Sequence, residues 1–64
     1  MNMKIARIKL NLSQGDLSKK ADVSRTLISQ IENGRSIDNI KLGILKKLAD
    51  ALDSTIEELF LSEE

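Results

Sequence analysis

Cysteine is absent from the 64 residues of this chain, and so is histidine. Without cysteine there is no disulfide framework, and without either residue a zinc or iron–sulfur site lacks its usual ligands. Tyrosine and tryptophan are missing too. Close acidic pairs such as Glu57-Glu58 read as helix surface with no cleft indicated, so no enzyme, metal or cofactor is expected. No apolar run exceeds four residues, the longest being Leu42 to Leu45 with Gly43 counted. That excludes a membrane span and a signal-peptide core, and the chain reads as cytoplasmic. A chain this short holds one small domain, near the lower limit for folding without staples. It has no room for a second domain, so no small-molecule ligand is expected, whereas a partner subunit would add stability.

Net charge is also lacking, but its distribution is uneven. Residues 1–35 carry Lys4, Arg7, Lys9, Lys19, Lys20, Arg25 and Arg35 against Asp16, Asp22 and Glu32, a balance of plus four. Residues 36–64 reverse it, with Lys41, Lys46 and Lys47 facing seven acids. Such a dipolar molecule approaches a polyanion with its N-terminal half first.

The most informative stretch runs from Val23 to Gly34. Ser24 can cap a helix by accepting from an orphan backbone N–H, and Gly34 can take the left-handed conformation that ends one. At about 100° per residue, Leu27, Ile28 and Ile31 fall on one arc and Arg25, Thr26, Ser29, Gln30 and Asn33 on the other. An ordinary solvated face is rich in Lys and Glu. This one offers one cation and four neutral donor–acceptor side chains, the groups that hydrogen-bond readout requires.

Around it, residues 2–10 suit a first helix with Met3, Ala6 and Leu10 on one stripe, and Ile5 and Ile8 are expected to pack on the C-terminal helix rather than form exposed apolar surface. Ser13-Gln14-Gly15-Asp16 has the form of a capping box and opens a second helix that ends near Lys20 or Ala21. Asp22 suits a left-handed turn. After a loop from Arg35 to Asn39, a fourth helix is expected over residues 40–52, capped by Asp38 or Asn39, with Ile40, Ile44, Leu45, Leu48, Ala49 and Leu52 on its buried face. Thr55-Ile56-Glu57-Glu58 forms a second capping box before Leu59, Phe60 and Leu61. Residues 1–61 then make one all-α domain of five short helices, and residues 62–64 an acidic tail.

Several fragments in this order are specific together: Ser13-Gln14 with Leu17, Val23-Ser24-Arg25, Ile28-Ser29, Ile31-Glu32-Asn33-Gly34, Leu48-Ala49 with Ala51-Leu52, and Thr55 to Leu59. Over residues 3–60 the chain resembles the phage repressor and Cro, or Xre-type, helix-turn-helix family. The resemblance implies a compact lambda-repressor-like domain whose helix 24–33 enters the major groove while the helix 14–20 crosses the phosphate backbone. It then assigns base contacts to Arg25, Thr26, Ser29 and Gln30, since Arg can grip guanine O6 and N7, Gln adenine N6 and N7, and the Thr methyl a thymine. Phosphate contacts fall to Gln14, Ser24, Asn33, Arg35 and Lys41. It further implies an ion pair between Arg7 and Glu32 that ties the first helix to the reading helix, and a twofold homodimer formed near Ile56, Leu59, Phe60 and Leu61. The expected function is sequence-specific binding of a palindromic operator in double-stranded DNA, as a repressor. The second reading is an antitoxin or adaptor that holds a partner protein through its acidic C-terminal half.

Overall fold

The computed structural model of the chain describes residues 3–61. The proposed acidic tail, residues 62–64, and the Asn2 start of the first helix lie outside that range. The order is α1 (Met3–Lys9), α2 (Gln14–Ala21), α3 (Arg25–Glu32), α4 (Leu42–Ala51) and a last π-helical turn, α5 (Glu57–Leu61). All described elements are helical, as the capping signals and apolar spacing lead one to expect.

Local chemistry sets most of the boundaries. At α2 the Ser13 hydroxyl accepts from the Asp16 N–H at 2.9 Å while the Asp16 carboxylate accepts from the Ser13 N–H at 3.0 Å. Those two bonds, the backbone one first, hold the Asp16 carboxyl below the usual carboxylate range. Thr55 and Glu58 form the same reciprocal box before α5, at 3.0 and 3.1 Å. Every α-helix ends the same way. A residue in left-handed geometry (Asn11, Asp22, Gly34, Asp53) is followed by one whose N–H returns to the carbonyl five residues back. This closure satisfies carbonyls that a helix end otherwise leaves unpaired.

The core is built around Leu17, Ile28 and Leu48, fully buried and drawn one each from α2, α3 and α4. Met3 and Ala6 of α1, Ala49, Ala51 and Leu52 from the end of α4, and Leu59 of α5 extend it. Two expectations fail here. Ile5 and Ile8 are 46% and 53% exposed, and Leu10 is exposed as well. As described from Met3 to Lys9, α1 packs on α3 and α5 with Met3 and Ala6 as its buried residues, a face too narrow to include a second stripe. The fourth helix also starts later than its sequence suggests, at Leu42, with Lys41 as an N-cap that makes no side-chain capping bond. The expected caps, Asp38 and Asn39, fall instead in a preceding turn, where the Asp38 N–H donates to the Ser36 hydroxyl at 3.2 Å and the Ile40 N–H to the Ile37 carbonyl at 3.0 Å. Ile40 therefore precedes the helix and Leu42, on its first turn, is exposed.

Candidate nucleic-acid interface

α2 and α3 are joined by a tight turn that sets the direction of α3. Asp22 at φ 58° redirects the chain, the Asp22 and Val23 N–H groups both return to the Ser18 carbonyl, and the Ser18 hydroxyl donates to the Val23 carbonyl at 2.6 Å. Val23 is buried beneath the turn. Ser18 is thus a positioning residue that propensity alone undervalues; the available signal was a hydroxyl one turn before a left-handed Asp, where it can bond to backbone instead of solvent.

α3 is anchored by Ile28, with Leu27 and Ile31 half-buried against the core. The Ser24 hydroxyl accepts from the Leu27 N–H at 3.4 Å. Arg25 and Thr26 on the first turn, Gln30 on the next and Asn33 at the C-cap are exposed, and Ser29 between them is half-buried. The helix therefore presents one continuous polar face free of carboxylates. Two residues at its far end act on that face. Asn33 donates from Nδ2 to the Ser29 hydroxyl at 3.4 Å, and Arg35 donates from Nη1 to Gln30 Oε1.

Behind the face, Glu32 ties three elements together. Arg7 of α1 donates from Nε and Nη2 to the two Glu32 oxygens at 2.8 and 3.1 Å and from Nη1 to the Leu12 carbonyl at 2.7 Å. Gln14, the first residue of α2, donates from Nε2 to Glu32 Oε1 at 3.1 Å. The Arg7 and Glu32 side chains are 11% and 4% exposed. Burial is the largest single influence on Glu32 and pushes its carboxyl up, but the bonds from Arg7 and Gln14 and the charges of Arg7 and Lys4 together hold it below the usual range. The bond to Glu32 likewise raises Arg7. The Gln14 link is absent from the sequence reading, which gives Gln14 only a phosphate role. That bond uses one of the two Gln14 amide hydrogens.

The other candidate positions are dispersed. Lys41 is exposed at the head of α4. In α5, Leu59 is buried in the core, Ile56 and Phe60 pack half-buried against it, and Leu61 is 61% exposed. Among the described residues no helix is long and apolar enough to cross a membrane.

A clamped turn that sets an exposed, carboxylate-free polar helix at an angle to its predecessor defines a helix-turn-helix domain. Residues 3–59 match the family described as Helix-turn-helix, and the chain belongs to that family of DNA-binding regulators. It is 39% identical over 57 residues to the control protein C.MunI of a Mycoplasma species, covering 89% of this chain and 74% of that protein. It is also 39% identical over 62 residues to an uncharacterised HTH-type transcriptional regulator of Methanocaldococcus jannaschii, covering 97% of this chain and 91% of that one.

Proposed function

We propose that this protein is a sequence-specific reader of double-stranded DNA that acts in the cytoplasm, on the nucleoid, as a homodimer occupying a palindromic operator, and that it represses by occupancy. The observation that carries the proposal is the outer face of α3, where Arg25, Thr26 and Gln30 are exposed and Ser29 half-buried between them, with no carboxylate on that face. Arg25 and Thr26 occupy the first turn, the end of a reading helix that meets base edges. Gln14, Ser24, Asn33 and Lys41 are suited to phosphates, Gln14 because it opens α2, where the helix dipole favours an anion.

Dimerisation supplies what one short helix cannot. A single reader of this size gives modest affinity, whereas two half-sites about one helical turn apart give a specific one. Leu61, with the outer faces of Ile56 and Phe60 above buried Leu59, is the surface proposed for it. A regulatory role agrees with the names of both relatives, a control protein and a transcriptional regulator.

Selection of bound sequences from a random duplex library tests the proposal. A palindrome with half-sites about one turn apart is expected, and log affinity for it should fall by roughly 0.9 per neutralised phosphate per decade of salt. Enrichment of no sequence would overturn the reading and direct attention to a protein partner for the acidic half.

A further inference from the structure

We infer that Gln30 and Arg35 read one base pair as a unit and that the base they select is guanine; the inference rests on the DNA-reading function proposed above. It assigns to Arg35 a part in sequence choice in place of a phosphate contact.

The starting point is the way α3 ends. Gly34, at φ 98°, lets the Arg35 N–H return to the Gln30 carbonyl at 2.9 Å and the Gly34 N–H to the Ile31 carbonyl at 3.1 Å. This closure brings the side chain after the left-handed residue beside the one five positions earlier, and the two are commonly apolar. The same closure pairs Leu12 with Arg7, Val23 with Ser18 and Ser54 with Ala49. Among the described residues, only at α3 do both side chains project exposed and bond to each other, Arg35 Nη1 to Gln30 Oε1. A bond this open to solvent adds little to stability, so its consequence is for what the helix end presents.

That consequence follows from donor inventory. A guanidinium has donors only, so the Gln30 atom that faces it is the carbonyl oxygen and the NH2 group faces away. A glutamine with both ends free matches adenine, accepting from N6 and donating to N7. With one Oε1 lone pair held by a cation, an adenine N6 amino group could use only the second and would lie beside guanidinium N–H groups, donor against donor. What the pair offers outward is the Gln30 NH2 and the remaining Arg35 N–H groups. Guanine presents two acceptors, O6 and N7, on its major-groove edge, and the adjoining positive charge favours that edge further. Asn33 treats Ser29 in the same sense. Its amide donates to the Ser29 oxygen, so that the hydroxyl hydrogen remains available as a donor.

The experiment uses the best site selected by the native chain. The base position whose preference disappears in Gln30→Ala is the one Gln30 reads. There, guanine should bind on the order of tenfold more tightly than adenine. Arg35→Ala should erase or invert that ratio and leave preferences elsewhere in the half-site unchanged, measured at low salt to keep weak binding visible. Preference of the native chain for adenine, a guanine preference that survives Arg35→Ala, no lost preference in Gln30→Ala, or a uniform loss across all bases would each overturn the inference while leaving the DNA-reading function standing. Failure of the native chain to select any site would overturn that function and the inference with it.

Discussion

Replacing Arg7 by alanine should remove a large share of the stability of this domain. The guanidinium makes three hydrogen bonds, two to Glu32 and one to the Leu12 carbonyl, from a position where the Glu32 side chain is only 4% exposed. Breaking a fully buried ion pair from one side costs about 3–5 kcal/mol, mostly because the partner is left charged and unpaired, and Arg7 and Glu32 as whole residues are half-buried. Gln14 still donates to Glu32 in the variant, which argues for the lower end, about 3 kcal/mol. Domains of this length have on the order of 3–10 kcal/mol in total, and each kcal/mol moves the melting temperature by about 4–8 °C. Thermal unfolding followed by circular dichroism should therefore show a fall of more than about 12 °C. Two further results are tied to the same cause. The double variant Arg7→Leu with Glu32→Leu should recover most of the loss, because no charge is stranded. The gap between Arg7→Ala and the native chain should also narrow in acid, since without Arg7 the burial of Glu32 is opposed only by Gln14 and Lys4 and the carboxylate takes up a proton more readily. A melting temperature lowered by less than about 4 °C would refute the reasoning.

Acid sensitivity should follow from Glu32 itself: its folded pKa is depressed, so its contribution is complete above the ordinary glutamate range of about 4.3 and is lost as pH falls through the lower folded value. Urea titrations across that range should show a shallower acid limb in Glu32→Gln. Gly34→Ala should cost about 1–2 kcal/mol through backbone strain alone, because a Cβ there meets nothing within 4 Å at φ 98°; equal stability in chemical denaturation would contradict this, and Gly34→Asn should be the milder change. Arg25→Ala should separate stability from binding. An exposed cation at a helix N-terminus opposes the dipole, so the variant should be no less stable than the native chain. Affinity for the selected site should nonetheless fall by about 1–3 kcal/mol per contact, as measured by titration.

What could be read from the sequence was chemistry that acts within a few residues. The boxes at Ser13–Asp16 and Thr55–Glu58, the cap at Ser24 and the left-handed turns at Asp22 and Gly34 all involve groups three to five positions apart, where a helix terminus dictates the partner. The polar face of α3 was legible for the same reason, since 3.6-residue periodicity separates it from Ile28. Competition between equally local options was not. Ser36 takes the Asp38 N–H into a turn, and α4 begins four residues beyond Asp38 as a result. Ile5 and Ile8 depend on how many neighbours surround α1, which no pattern within α1 encodes. The bond from Gln14 to Glu32 spans 18 residues and exists only once α2 and α3 have packed. Within the candidate site, then, the residues on the polar face of α3 were legible, and the bonds that orient Gln14, Gln30 and Ser29 emerged only in three dimensions.

Methylation interference on the selected duplex tests the central claim, that α3 reads the major groove, more directly than any other measurement. Methylation at guanine N7 places a methyl group in the major groove, and methylation at adenine N3 places one in the minor groove. The account predicts that N7 methylation within each half-site blocks binding while N3 methylation at neighbouring adenines does not. Interference from N3 methylation alone would place the contact in the other groove and contradict it.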